Sequence, residues 1–293
     1  MKKKPIIAII GGSGLYNLEG LNASKLATPS TPYGKTSDKI LTAKYKSLEV
    51  IFLPRHGKNH NIPPHKINYR ANIFALKKLG VTDIVSVSAV GSLKKSHKPG
   101  DFILVDQFID RTLTRERTFF DKSLVAHVSL ANPTSSELNK LIYNSRKNKK
   151  NRIKLGGTYI CIEGPQFSSY AESILFKNWN CDVIGMTNLP EARLAREAEM
   201  GYASIAMVTD YDCWNKSHGE VTVEQVINLM QNNTKKAQDL LITFFEKVLK
   251  LKSWNWKNPI YSNLDNAIIT NLKNVDKKEL EKLKPLLKRY LSK

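Results

Sequence analysis

The sequence has no long hydrophobic run, since nowhere do eighteen or more apolar residues follow one another. A membrane-spanning helix needs about 20 such residues, so we expect no membrane partner. The N-terminal stretch MKKKPIIAIIGGSGLY has a basic start and a short apolar run, as a signal peptide does. The run PIIAII is short, however, and it meets GGSG instead of a cleavage site. We therefore interpret it as a buried first strand.

Cysteine is also scarce, because the chain has only Cys161, Cys181 and Cys213. They form no CxxC pair, and no cluster of histidines lies near them in the sequence. An odd number of cysteines without metal-type spacing is typical of a reducing compartment, where thiols stay free. The sequence therefore predicts a cytoplasmic protein with free, mostly buried thiols and no structural metal.

Acidic residues are few relative to basic ones, 26 against 46, which gives a formal net charge of +20. A balance this basic raises the class of nucleic-acid-binding proteins. The excess is scattered, however, and collects mainly in residues 145–154 and 271–293. The chain is also rich in Lys, Asn and Ile, which indicates a general compositional bias. We expect no nucleic-acid partner, whereas an anionic small-molecule substrate is compatible with the charge.

Short apolar runs recur along the chain between turn residues, and several are apolar throughout instead of alternating. The predicted strands are residues 5–10, 48–53, 83–88, 101–106, 158–162, 182–186 and 202–208. Helical patterns lie between and after them, at 67–80, 168–179, 190–201, 222–251 and 276–291. Strands that alternate with helices predict an α/β protein, with a central mixed, largely parallel twisted β-sheet flanked by helices.

The length of 293 residues suits one large α/β domain, which we assign to residues 1–251. Residues 252–293 are predicted to be a linker and a basic C-terminal helix that packs on the same domain or on a neighbouring subunit. Ser168 and Thr222 are predicted to cap the helices that they precede.

Three predicted strands end in segments that suit phosphate binding: GGSG, PRHGKNH and SVSAVGSL. Glycine-rich turns expose backbone N–H groups to anions, and an arginine can bind a phosphate through two parallel hydrogen bonds. Each segment alone is equally consistent with a structural turn or an exposed basic loop. Ligands of open α/β sheets gather at strand ends, so the three together favour a phosphate site. The candidate ligands are Ser13, Arg55, His56, Ser88 and the backbone of Ala89.

Two carboxylates, Asp210 and Asp212, stand at the end of another strand, in MVTDYDCW. Residues two apart in an extended segment point to the same side. Two close carboxylates cannot both ionise at low cost, so one pKa is expected to rise. The structural alternative is that the pair caps the next helix or binds surface lysines.

Two more segments contribute single candidates. Phe167, in CIEGPQFSS, precedes a helix and either stacks on a base or fills the core. Met186 and Thr187, in GMTNLPE, lie at a strand end, where a methionine is more often a core filler than a ligand.

These segments carry a resemblance to one family when they are taken together. The matching runs, in order, are IIGGSGLY, RHGKNHNIPPHKINYRANI, SAVGSL, PGDFILVDQFIDRT, IEGPQFSS, DVIGMTNLPE and YASIAMVTDYDCW. They extend over about residues 6–250. The sequence resembles the 5′-methylthioadenosine phosphorylases, within the trimeric purine nucleoside phosphorylase superfamily. The resemblance implies a nucleoside phosphorylase-like fold and a homotrimer, or a hexamer of two trimers.

The resemblance also implies a reaction. Inorganic phosphate attacks C1′ of S-methyl-5′-thioadenosine and releases adenine and 5-methylthioribose 1-phosphate, as in purine and methionine salvage. Phosphate is a co-substrate, and no cofactor is expected. The departing purine must be protonated or hydrogen-bonded, and the methylthio end needs an apolar pocket.

Site residues are implied position by position. The phosphate positions match Ser13, Arg55, His56, Ser88, Ala89 and Thr187. The purine and ribose positions match Phe167, Ile184, Met186, Thr209, Asp210 and Asp212. The methylthio pocket matches Val223, Val226 and Ile227, and His127 matches a residue that a neighbouring subunit lends. Asp210 is the expected proton donor to N7, with Asp212 and His56 as the other catalytic candidates. Gly185 departs from the family, in which relatives have Asn there.

Three other functions are considered. A phosphorylase of 6-oxopurine nucleosides, including S-methyl-5′-thioinosine, typically has Asn at the position of Asp210, because a 6-oxo group needs a donor. A nucleosidase that uses water would not need Arg55 and His56. A nucleic-acid-binding protein is suggested only by charge, without a basic stripe interleaved with aromatics.

Overall fold

A computed structural model describes residues 4–16, 18–146, 152–215 and 223–291. The strands are β1 (Ile7–Gly11), β2 (Leu21–Ala27), β3 (Ile40–Tyr45), β4 (Leu48–Pro54), β5 (Asp83–Ser92), β6 (Phe102–Val105), β7 (Gln107–Arg111), β8 (Ile153–Leu155), β9 (Thr158–Ile162), β10 (Val183–Gly185) and β11 (Gly201–Tyr211). The helices are α1 (Tyr69–Lys78), α2 (Ser136–Asn144), α3 (Tyr170–Asn178), α4 (Glu191–Glu197), α5 (Val223–Lys250) and α6 (Lys277–Leu291).

The described strands form one mixed sheet in which the long β5 occupies the centre. One edge of β5 pairs in parallel with β1 and, further along, antiparallel with β10, while the other edge pairs in parallel with β11. The sheet continues from β1 through β4, β3 and β2, and from β10 through β9 to β7. Because β1, β4, β5 and β11 run in parallel, their carboxyl ends lie at one edge of the sheet.

The apolar core is divided between the two faces of this sheet. Along β1, Ala8 and Ile10 pack into one cluster, and Ile7 and Ile9 pack into the other. Alternation of this kind places successive side chains on opposite faces. Helices α1, α4 and α6 cover the first face, and α2 and α5 cover the second. Strand β1 is therefore buried on both faces, as its unbroken apolar run predicts.

The C-terminal helix packs on the body of the same chain. Leu283 and Leu287 join the cluster that contains Ile73 of α1. Arg289 donates to Glu199, which follows α4, at 3.0 Å. Residues 252–291 are thus part of the same core as the strands, and no described helix is long and apolar enough to cross a membrane.

All seven predicted strands and five predicted helices are present, whereas four strands and one helix were missed. The missed elements are β2, β3, β7, β8 and α2. One predicted helix cap is wrong: Ser169, not Ser168, accepts the hydrogen bond from Glu172 N that begins α3. Thr222, the other predicted cap, lies outside the described residues.

Candidate active site

Gly91, near the end of β5, marks the point at which the candidate purine-binding residues converge. A Cβ atom at Gly91 would lie 3.0 Å from Asp210 Oδ1, 3.1 Å from Ile184 Cγ2 and 3.2 Å from Asp212 Cβ. The strand pairing gives the same result, since Gly91 pairs with Ile184 on one edge and with Asp210 on the other. Three candidate residues from two separate segments therefore meet at one place on the sheet.

A β-bulge determines how Asp210 meets Gly91. The register of β11 against β5 shifts between Val208 and Asp210, so Thr209 is the extra residue. Such bulges bend a strand and change the direction of its side chains. Thr209 Oγ1 donates to Asp210 Oδ2 at 2.7 Å, and within the described part of the chain this is the only hydrogen bond to that carboxylate. Asp210 Oδ1 accepts no hydrogen bond from the described residues.

The environment of Asp210 raises the pKa of its carboxyl. Burial raises the pKa of its carboxyl to about 6, the Thr209 hydroxyl lowers it, and the negative charge of Asp212 raises it further. The expected rise in pKa at this pair is thus present in the structure, and burial contributes more to it than charge repulsion does.

Asp212 binds the loop that precedes α3 instead of pointing an oxygen at Gly91. It is 4% exposed, and both of its carboxylate oxygens accept from Ser168 Oγ, at 3.0 and 2.8 Å. Its backbone N–H donates to Ser92 O at 3.1 Å. The loop that precedes α3 is therefore fastened to the end of β11, and the half-exposed Phe167 lies in that loop. Neither aspartate is the N-cap of α1, α2, α3 or α4, whose caps the structure describes.

Two buried hydroxyls lie among the candidate phosphate ligands. Ser88 and Thr187 are each 7% exposed, and the Oγ atom of the first and the Oγ1 atom of the second have no hydrogen-bond partner among the described residues. Buried polar atoms are nearly always hydrogen-bonded, so each exception calls for an explanation. Ser88 Oγ and Thr187 Oγ1 therefore keep a hydrogen-bonding capacity that no described residue uses.

Arg55 is held more tightly than its sequence context suggests. It is 2% exposed, and its Nε and Nη2 atoms donate to Glu191 at 2.9 and 3.1 Å. Nη1 donates to Val87 O at 3.1 Å, and Nη2 donates to Ser86 Oγ at 2.6 Å. Two of the five guanidinium hydrogens thus bind one carboxylate. The alternative of an exposed basic loop is excluded for this residue.

His56 lies beside Arg55 and carries no charge near neutral pH. Burial, and then the positive charge of Arg55, lower the pKa of its imidazole to about 4. Its Nδ1 lies 2.9 Å from Ile62 O, and because a carbonyl only accepts, Nδ1 carries the hydrogen. Nε2 is therefore an acceptor, which suits the protonated oxygen of a monohydrogen phosphate.

The other candidates are placed as follows. Ala89 lies on β5 opposite Met207, and Met186 follows β10. The backbone of Ser13 lies directly after β1, but its side chain is not among those described. The same holds for the side chains of Val223, Val226 and Ile227, in the first turns of α5.

His127 lies apart from the strand-end residues. It is exposed, and its backbone N–H donates to Ala267 O at 2.8 Å in the C-terminal segment. The adjacent Ala126 forms an antiparallel bridge with Ile268. Within one chain, the described contacts do not bring His127 to the site.

Comparison with known proteins decides the family. The model of the phosphorylase superfamily matches residues 6–246. The S-methyl-5′-thioadenosine phosphorylase of Rhodospirillum rubrum is 49% identical over 92% of this chain and 91% of the relative. The enzyme of the same name from Geobacter sulfurreducens is 42% identical over 98% and 99%. The chain belongs to the S-methyl-5′-thioadenosine phosphorylases of the phosphorylase superfamily.

Solved structures agree with this assignment. A methylthioadenosine phosphorylase from an antarctic soil metagenomic library superimposes with a TM-score of 0.89 at 40% identity, covering 97% of this chain and 100% of that one. A methylthioadenosine phosphorylase from Schistosoma mansoni, in complex with adenine, gives a TM-score of 0.82 at 33% identity over 89% and 96%. The fold predicted from the sequence is thus confirmed as that of the nucleoside phosphorylases.

The sequence did not indicate Arg115, which joins the loop before α3 to the segment that follows β10. Arg115 donates to the carbonyls of Glu163 and Leu189, each at 2.6 Å, and to that of Met186 at 2.7 Å. It thereby fixes the loop that carries Phe167 to the segment that carries Met186. Its motif, DRTLTRERT, offers several arginines and no sign of which one is buried.

Other features of the described residues lie elsewhere. Cavities of about 230 and 590 Å³ are lined by Asp101, Phe102 and Arg152, and include none of the predicted site residues. In the described ranges, no three His, Cys, Asp or Glu side chains are grouped as a metal site would need.

Proposed function

We propose that this chain catalyses the phosphorolysis of S-methyl-5′-thioadenosine to adenine and 5-methylthioribose 1-phosphate, in purine and methionine salvage. The observation that carries the proposal is the pair of unpartnered buried hydroxyls on Ser88 and Thr187. Ser88 and Gly91 lie three residues apart on β5, a spacing of about 10 Å. Both lie towards the carboxyl end of β5, at the edge of the sheet where β1, β4 and β11 also end.

The proposed mechanism assigns a task to each end of the site. Ser88, Thr187 and the neutral His56 hold the phosphate on the side of C1′, and Arg55 supplies a fixed positive charge behind it. At the other end, Asp210 accepts a hydrogen bond from the 6-amino group or, when protonated, donates to N7 as the purine leaves. The reaction as proposed needs no cofactor besides the co-substrate phosphate.

The supporting evidence for a substrate with a 6-amino group is the carboxyl of Asp210. One of its oxygens accepts from Thr209, and the other lies 3.0 Å from where a Cβ atom at Gly91 would be. A carboxylate repels a 6-oxo group unless it is protonated, whereas it accepts from an amino group in its ordinary ionised form.

Phosphate should be required for turnover. We expect adenine release from S-methyl-5′-thioadenosine to fall at least a hundredfold when phosphate is removed, because the nucleophile is then absent. The measurement is adenine release, with and without phosphate, together with identification of the sugar product. Release of free 5-methylthioribose at an equal rate without phosphate would identify a nucleosidase and would overturn the proposal.

Assembly into a homotrimer, or into a hexamer of two trimers, is part of the proposal. The exposed His127 is then lent to the site of a neighbouring subunit, and residues 267–269 hold its backbone in place. We also place the enzyme in the cytoplasm, with no nucleic-acid partner.

The mass in solution tests this assembly. We expect about three or six times the chain mass of 33.1 kDa. His127→Ala should raise the KM for the nucleoside and leave the mass unchanged, with exposed Lys122→Ala as the control substitution in the same segment. A monomer with full activity at the assay concentration would contradict the shared site.

A further inference from the structure

Gly185, the last residue of β10, has no room for a side chain beside Tyr159. A Cβ atom there would lie 2.1 Å from Tyr159 Oη, 2.7 Å from Tyr159 Cζ and 3.2 Å from Val90 Cγ1. Contacts below 3.0 Å are not tolerated by real Cβ atoms, and a rigid phenol in a packed core has no room to move. The space that a side chain at Gly185 would need is therefore filled by the hydroxyl of Tyr159.

Tyr159 brings this hydroxyl from the neighbouring strand. It lies on β9, pairs with Val183 of β10 and is fully buried. Its ring packs against Phe108 of β7, with the ring centroids 5.7 Å apart, so the phenol has one fixed direction. The hydroxyl end of the ring lies beside Gly185 and close to Thr187, which follows β10.

The hydroxyl of Tyr159 meets Thr187 at the phosphate end of the site. Tyr159 Oη accepts from Thr187 N at 3.4 Å. The phenol's own hydrogen has no acceptor among the hydrogen bonds of the described residues, and Thr187 Oγ1 has no partner there either. Burial raises the pKa of the phenol well above its usual value, so the phenol keeps its hydrogen and can donate it.

We propose that Tyr159 is a positioning residue for phosphate: its hydroxyl takes the place of a side chain at Gly185 and donates to Thr187 Oγ1, so that the Thr187 hydroxyl directs its own hydrogen at the phosphate. A threonine hydroxyl has one hydrogen and rotates freely, so it can equally present a lone pair to an anion. A fixed donor on its other side removes the unfavourable orientation. This inference rests on the proposed phosphorolysis.

The test is the KM for phosphate in Tyr159→Phe. Loss of one hydrogen bond that acts through Thr187 should raise the KM for phosphate about three- to tenfold. The KM for the nucleoside and kcat at saturating phosphate should change less than twofold. Tyr45→Phe is the matched control. The Tyr45 hydroxyl donates to Glu246 of α5 at 2.7 Å and, among the described residues, forms no hydrogen bond with the predicted phosphate ligands, so the KM for phosphate should not change.

A double-mutant cycle separates positioning from general destabilisation. If Tyr159 acts through Thr187, then Tyr159→Phe should add nothing to the KM for phosphate in a Thr187→Ala background. Gly185→Ala should lose most activity, and the double variant Tyr159→Leu/Gly185→Ala should regain part of it because the clash is removed.

The outcomes distinguish this inference from the proposed function. An unchanged KM for phosphate in Tyr159→Phe, or fully additive effects with Thr187→Ala, would overturn the positioning role while phosphate-dependent cleavage stands. A wild-type enzyme that needs no phosphate would overturn the proposed function itself.

Discussion

Glu191→Ala is expected to lower the free energy of unfolding by about 3–5 kcal/mol, the usual cost of removing one partner from a buried ion pair. Glu191 and Arg55 are each 2% exposed, and two parallel hydrogen bonds join them. Tyr202 Oη also donates to Glu191, at 2.9 Å. Without the carboxylate, the guanidinium charge stays buried with only neutral partners, and the tyrosine hydroxyl loses its acceptor.

The measurement is denaturant-induced unfolding at a fixed protein concentration. Glu281→Ala is the control, because Glu281 forms an exposed pair with Lys284 and should change the free energy by no more than about 0.5 kcal/mol. Glu191→Gln keeps the side-chain volume and one acceptor, so it should fold. In that variant the KM for phosphate should rise at least tenfold, because Arg55 is no longer held in one orientation. Equal stability of Glu191→Ala and the wild type would show that the pair does not hold Arg55.

Asp210→Asn is expected to abolish most activity on S-methyl-5′-thioadenosine and to shift the substrate preference towards 6-oxopurine nucleosides. The amide can donate to a 6-oxo group, but it removes both the acceptor for the 6-amino group and the titratable proton. A site that hydrogen-bonds a substrate group discriminates against analogues that lack it by several kcal/mol. The measurement is the ratio of kcat/KM for S-methyl-5′-thioadenosine and S-methyl-5′-thioinosine in the wild type and in the variant.

Asp212→Asn is the matched control for that ratio. Because Asp212 binds Ser168 with both oxygens, the substitution should loosen the loop that carries Phe167 and raise the KM for every nucleoside alike. The preference between 6-amino and 6-oxo substrates should stay within about threefold of the wild-type value. If the kcat/KM ratio is unchanged in Asp210→Asn, or changes more in Asp212→Asn, then Asp210 does not determine which purine the site prefers.

The same carboxyl predicts the pH dependence. Asp210 has a pKa raised to about 6, so its protonated fraction falls about tenfold for each pH unit above that value. At a fixed concentration of phosphate dianion, kcat/KM for S-methyl-5′-thioadenosine should therefore decrease as the pH rises through about 6. The decrease should be absent in Asp210→Asn. A flat wild-type profile between pH 5.5 and 7.5 would show that a proton on the free enzyme's Asp210 is not needed.

The sequence predicts the strand ends well, because unbroken apolar runs followed by glycine, arginine or aspartate occur there for a physical reason. Strands covered on both faces are buried along most of their length and hold long apolar stretches, and β1, β4, β5 and β11 satisfy this. The missed strands are different: β7 has only partly buried or exposed residues, and β8 has only three residues. Neither gives an apolar signal that can be separated from a loop.

The candidate site could be predicted only as a set of residues, without their partners. Nothing near Arg55 in the sequence indicates Glu191, and nothing near Asp212 indicates Ser168, since each pair forms only when distant segments meet. The bulge at Thr209 likewise depends on pairing with β5. Local sequence therefore identifies which groups act, and the tertiary structure decides which of them are free to meet a ligand.

Cleavage of an adenine nucleoside with a 5′-methylthio group is tested by a single comparison in the wild-type enzyme. It is the ratio of kcat/KM for S-methyl-5′-thioadenosine to that for S-methyl-5′-thioinosine, measured with saturating phosphate. We expect a ratio well above one, about a hundredfold or more, because Asp210 accepts from a 6-amino group and repels a 6-oxo group. A ratio below one would contradict it and would identify a 6-oxopurine nucleoside phosphorylase.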